Sequence, residues 1–120
     1  EMITEQEISI DGAVRAMKKS GIGAIVTFIG VVRAEVGLTG MAVEVRDNAQ
    51  AELDQLKRDA FDTFDIEAVE IIHRHGLLDV DDIIVAILVG AKHRTDAFRA
   101  CEYLIDLLRI NEAIKLKELK

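Results

Sequence analysis

A chain of 120 residues, 50% hydrophobic and 31% charged, has the composition of one globular domain and not of a disordered segment. Its formal charge of −7 argues against non-specific nucleic-acid binding, which needs a basic surface. The single cysteine, Cys101, excludes a disulfide framework or a cysteine-rich metal site within one chain, and fits a reducing cytoplasm.

The opening stretch EMITEQEISI is acidic and polar and does not read as a signal peptide. SIDGAVRAMKKSG predicts a short helix, with Asp11 near its start, Val14 and Met17 inward and Gly21 beyond its end. GAIVTFIGVVR, Gly23 to Arg33, is rich in β-branched residues and predicts a strand, with Gly30 marking a bulge or a close backbone approach. EVGLTG then reads as a turn and MAVEVRD as the return strand of a hairpin.

From Asn48 to Phe64 the period becomes helical, with Leu53, Leu56, Ala60, Phe61 and Phe64 near one face and Asn48 as the cap. IEAVEIIHRHG predicts another strand, LLDVDD a turn, and IIVAILVG a buried strand. The apolar run Ile83 to Ala91 is far too short to span a membrane. The last helix, His93 to Arg109, carries Ala97, Ala100, Cys101, Leu104, Leu107 and Leu108 at 3-and-4 spacing. No proline, repeat or low-complexity linker divides residues 1–120, which read as one domain. The order α-β-β-α-β-β-α predicts an α+β fold, helices packed on a mostly antiparallel sheet.

The residues able to carry chemistry are Arg33, His73, Arg74, His75, His93, Arg94, Arg109, Lys115, Lys117 and Lys120. Each has a plain structural reading. Arg33 can simply end an edge strand in water. His73 and His75 share one strand face, but two histidines without a third ligand make no metal site, and His73 reads as strand-end structure. Cys101 lies on the apolar stripe of its helix and reads as a packed thiol. The lysines of AIKLKELK read as a solvated end.

His93 and Arg94 resist such a reading. Free backbone N–H groups and the helix dipole already favour an anion at a helix N-terminus. Cations there disfavour the helix by about a few tenths of a kcal/mol each. Positive side chains on a positive helix end make sense if something negative binds.

GAIVTFIGVVR, IIHRHG, AKHRTDAF and the helix running into DLLR resemble, in order and spacing, the MoaE family, the large catalytic subunits of molybdopterin synthase. The resemblance covers roughly Gly23 to Glu118 and implies the α/β-hammerhead fold of that family. It also implies a sulfur transfer. A small ubiquitin-like sulfur-carrier subunit, the MoaD-like partner, threads a C-terminal glycyl thiocarboxylate into a pocket holding cyclic pyranopterin monophosphate. Two sulfurs are then added to form the molybdopterin dithiolene. Sulfur arriving from the partner removes any need for a catalytic cysteine, and no metal or resident cofactor is expected.

Carried over by position, the resemblance makes Phe28, Arg33, His93 and Arg94 substrate-binding residues. Arg109 falls where the family has a pocket lysine. Arginine keeps the charge but is a poor general acid or base. The family tail pattern P-x-W-K-[KR]-E aligns with AIKLKE, which puts Leu116 at the lysine position between Lys115 and Lys117. Lys117 is the favoured catalytic lysine, with Lys115 and Arg109 as the other catalytic candidates. Leu116 motivates an alternative, a weakened relative that binds the partner or a pterin without efficient turnover.

Arg94 and Arg109 lie fifteen residues apart on one helix, about 22 Å at 1.5 Å per residue. They cannot both reach one small ligand from the same chain: either they serve different sites or one site is shared across a subunit interface. A site shared across a homodimer, itself flanked by two small partners as a heterotetramer, is what the resemblance implies.

Overall fold

The computed structural model describes residues 2–120. In chain order the elements are β1 (Ile3–Thr4), α1 (Ile10–Met17), β2 (Ala24–Val31), β3 (Gly40–Val45) and α2 (Ala49–Thr63). They continue with β4 (Ala68–Arg74), β5 (Gly76–Asp79), β6 (Ile83–Ala91), α3 (Arg94–Arg109) and β7 (Ile114–Leu119). The seven expected elements are all present in order, and the short strands β1, β5 and β7 are added to them.

The strands form two sheets where the sequence suggested one. A four-stranded sheet has the order β1-β4-β6-β2, and a three-stranded sheet the order β5-β3-β7. Only β1 and β4 pair in parallel; the other pairings are antiparallel.

The expected hairpin of GAIVTFIGVVR with MAVEVRD does not form. β2 pairs with β6 along its whole length, and β3 pairs with β5 and β7 in the other sheet. The reason lies in β6, which is buried at every residue after Ile83. A strand apolar on both faces must be central, with a neighbour on each edge. β4 and β2 supply those edges, so β3 is left to seed a second sheet. The chain makes the crossing between Val32, whose N–H donates to the Asp82 carbonyl, and Thr39.

LLDVDD is likewise only partly a turn. Leu77, Leu78 and Asp79 belong to β5, and the reversal is confined to residues 80–82, where Asp81 adopts φ 75°. The Asp82 carboxylate accepts from the Asp79 N–H at 2.9 Å and holds that reversal closed.

α3 covers one face of the larger sheet, burying Ala97, Ala100, Cys101 and Leu104 against Ile71, Val85, Ile87 and Val89. α1 covers the other face, with Met17, and Ile8 from the segment before the helix, against Ala86 and Leu88. Leu53, Ile71, Ile87, Leu88 and Leu104 are fully buried, and truncating one of them to alanine costs about 2–5 kcal/mol. α2 packs beside α3, where Phe64 meets Tyr103 edge-on at 5.2 Å.

α1 is capped by Ser9, whose hydroxyl accepts from the Gly12 N–H at 3.1 Å. Asn48 does stand at the N-cap of α2, but its side chain makes no capping bond. Phe61, expected inward, is 44% exposed. It follows Ala60 by about 100° around the helix and falls off the narrow stripe of Leu53, Leu56 and Ala60.

Candidate functional site

The cationic cluster sits where β6 ends and α3 begins. Ala91 is fully buried, and the next residues, Lys92, His93 and Arg94, are exposed. His93 is the N-cap of α3 in extended backbone, and its imidazole makes no capping bond, so the first-turn N–H groups stay open to a ligand. Lys92, His93, Arg94 and Thr95 line a shallow depression of about 530 Å³, closed on one side by Gly23 and Ala24. Gly23 is required there. Its N–H donates to the Ala91 carbonyl at 2.9 Å, and a Cβ would stand 2.5 Å from the Lys92 carbonyl oxygen.

A second site lies at the other end of α3. Phe28, Gly30, His73, Val85, Ile105, Leu108, Arg109, Ile114 and Leu116 are among the residues around a cavity of about 410 Å³. The sheet register explains its floor. His73 pairs with Val85, and Val85 pairs with Gly30, so one row across three strands ends in a residue without a side chain. A Cβ at Gly30 would come within 2.9 Å of Val85 Cγ1. The register also shifts between Gly30 and Val31, the bulge that the sequence suggested. α3 roofs this row with Ile105 and Leu108, and β7 closes the side with Ile114 and Leu116.

The predicted residues therefore separate into groups. Phe28 and Arg109 share the cavity. His93 and Arg94 share the depression at the far end of α3. Arg33 stands apart in the connection after β2, its side chain 79% exposed and paired with Glu35. Lys115 and Lys117 lie on β7, where alternation puts them on the opposite face from Ile114 and Leu116 and away from the cavity. The tail is thus extended, the geometry in which both lysines share one face.

His73 is the residue that sequence reasoning undervalued. It stands near the end of β4, as expected, but is only 3% accessible and borders the cavity. Its Nδ1–H donates to the Arg74 carbonyl at 2.8 Å, and burial pushes its pKa below the ordinary 6.5 against that bond. Alternation was the signal: Val69, Ile71 and His73 occupy successive inward positions of β4. Lys92 also belongs to the basic depression and was passed over in favour of its two neighbours.

Cys101 is buried, and its thiol is pushed up to about 11 by desolvation, opposed by a bond to the Phe28 backbone. It is unsuited to act as a nucleophile. Among the described residues no group of three His, Cys, Asp or Glu side chains could hold a metal ion, and no helix is long and apolar enough to cross a membrane. A depression of about 580 Å³ between α1 and β4, larger than either site, contains none of the predicted site residues; the chemistry of the side chains, not size, selects the two sites at the ends of α3.

Fold and side chains together define an α+β protein with a cationic centre at each end of one long helix. Residues 3–111 match the family model described as MoaE protein, and the chain belongs to that family. It is 37% identical over 92 residues to the molybdopterin synthase catalytic subunit of Brucella melitensis, a match covering 75% of this chain and 56% of that protein. The chain thus spans little more than half the length of that relative. The crystal structure of molybdopterin synthase from Staphylococcus aureus superposes with a TM-score of 0.91 at 30% identity, covering 98% of this chain and 89% of that one. A complex of subunits 1 and 2 of the molybdopterin-converting factor from Helicobacter pylori superposes with a TM-score of 0.83, covering 98% and 82% of the two chains. At 18% identity, that likeness speaks for the fold alone.

Proposed function

We propose that this protein is the catalytic subunit of a molybdopterin synthase, a cytoplasmic sulfurtransferase. It takes sulfur from the C-terminal thiocarboxylate of a small ubiquitin-like partner and delivers it to cyclic pyranopterin monophosphate. The observation that carries the reading is the MoaE family match over residues 3–111, which spans the basic depression and most of the cavity.

Each centre has a task in this reading. Lys92, His93 and Arg94, with the open N–H groups of α3, suit a cyclic phosphate. The narrow apolar cavity, edged by Phe28 and Arg109, suits a slim chain end carrying a negative charge. Arg33 follows the far end of β2 from that depression, so in this reading it reaches a phosphate only across the dimer interface, exchanging Glu35 for it.

The two centres lie at opposite ends of α3, a helix of 16 residues and so about 24 Å long. One small precursor cannot touch both in one chain. A homodimer that sets the N-terminal end of one α3 beside the C-terminal end of the other assembles a whole site from two copies. Lys117 is the proton-handling group in this scheme and Lys115 its neighbour, both reaching the site across the interface, since in their own chain they face away from the cavity.

The test is a single-turnover reaction with thiocarboxylated partner and precursor. Formation of the dithiolene product is expected. Binding of both without product favours the weakened relative, the reading that Leu116 supports by standing where the family has a lysine.

A further inference from the structure

We infer that His73 is a positioning residue of the sulfur-transfer site, its Nε2 accepting a hydrogen bond from an N–H of the chain end seated in the cavity. The inference rests on the sulfur-transfer reading above.

A carbonyl oxygen only accepts, so the 2.8 Å contact with the Arg74 carbonyl puts the imidazole proton on Nδ1. Nε2 is then an acceptor in a fixed direction, and the ring's one side-chain hydrogen bond among the described residues is the Nδ1 bond to Arg74. The ring borders the cavity. The other walls are Phe28, aliphatic side chains and the bare backbone of Gly30, so His73 and Arg109 are the polar side chains that a ligand meets there. Burial keeps the imidazole neutral at physiological pH, which preserves Nε2 as an acceptor.

These two groups describe their ligand. Arg109 calls for an anion and Nε2 for a donor, and the missing side chain at Gly30 admits only a slim segment. A terminal glycyl unit has this shape, with a backbone N–H one carbon removed from its carboxylate or thiocarboxylate. A phosphate offers no matching N–H, and it belongs at Lys92, His93 and Arg94 instead. Loss of the buried acceptor also leaves the seated ligand's N–H unpaired, so the effect falls on tail binding and alignment.

Two substitutions separate the ring's two nitrogens. His73→Asn keeps an amide donor near Nδ1 and removes the Nε2 acceptor. His73→Gln places a carbonyl oxygen near Nε2 and gives up the backbone bond. In single-turnover transfer, His73→Asn is expected to raise the apparent KM for the thiocarboxylated partner roughly tenfold, leaving that for the precursor unchanged, while His73→Gln stays near wild type. Asn at wild-type level, or equal losses in both, makes the residue structural and overturns the inference.

One readout needs no substitution. The nitrogen NMR resonance of His73 Nε2 in the wild-type protein is expected to shift on addition of the partner in its carboxylate form, and a stationary resonance under saturating partner overturns the inference. Wild-type protein that binds partner and precursor yet transfers no sulfur removes the reading beneath it, and the inference with it. Transfer by wild type with an indifferent His73→Asn removes the inference alone.

Discussion

Lys115 stands opposite Glu44 in the antiparallel register of β7 on β3, an exposed pair of opposite charge on the face of the sheet turned away from the cavity. The next row on that face joins Lys117 to Ala42, which offers it no charge partner across the strand. Lys117 is therefore the ammonium group with no opposite charge in cross-strand register. Exposed cross-strand charge pairs contribute roughly 0.2–1 kcal/mol; Lys115 has a carboxylate in register and Lys117 does not, although neither lysine forms an ion pair within 4 Å among the described residues. Lys117→Ala is expected to slow sulfur transfer at least about tenfold while dimerisation and precursor binding persist. Lys115→Ala is expected to act mainly on stability, within about 1 kcal/mol. If both variants turn over like wild type in the single-turnover reaction, no lysine of β7 handles a proton.

The anion site is tested by calorimetric titration with the phosphorylated precursor. Arg94→Ala and Arg33→Ala are each expected to weaken binding by roughly 1.5–3 kcal/mol, the range for a lost hydrogen bond to a charged group. His73→Ala is expected to leave this affinity nearly unchanged, because the cavity lies at the other end of α3 from the basic depression proposed to hold the phosphate. Equal losses at all three positions would place the phosphate elsewhere.

Sharing of the site between two copies has a kinetic signature. Analytical ultracentrifugation at micromolar concentration is expected to show a dimer. If Arg94 of one copy works with Arg109 of the other, Arg94→Ala and Arg109→Ala are each inactive alone. Mixing them after reversible dissociation restores roughly a quarter of the activity, since half the dimers are mixed and each holds one intact site. A monomer, or no recovery on mixing, contradicts the shared site.

His73 predicts an acid limb in stability. Its folded pKa lies below the ordinary 6.5, so the unfolded chain binds the proton first as pH falls. Above that value the group is neutral in both states and contributes nothing. As pH drops through 6.5 and on toward the lower folded value, unfolding is increasingly favoured. Urea melts across this range are expected to show a shallower loss for His73→Asn than for wild type; parallel curves would contradict the assignment.

Cys101 supplies a control on the core. Its thiol is buried and raised to about 11, so alkylation at pH 8 is expected to be negligible in the native protein and fast in denaturant. Prompt alkylation of the native protein would mean that α3 does not pack on β2 as described.

Local pattern carried most of the elements and the family. β-branched runs marked β2 and β6, the 3-and-4 spacing marked α3, and the HR pair after a buried strand marked the basic cluster at the start of α3, because periodicity and composition act over a few residues. Which strands pair is not local. β6, buried on both faces, claimed both β2 and β4, and β3 was left to build a second sheet with β5 and β7. That second sheet turned the tail from an apparent solvated end into a strand, closing a cavity with Ile114 and Leu116 and sending Lys115 and Lys117 to the other face. The sequence alone determined that Arg94, with His93 before it, lies fifteen residues from Arg109 on one helix. Only the tertiary structure decided that a buried His73 shares a cavity with Arg109, because cross-strand register, not chain proximity, aligns His73 with Val85 and Gly30.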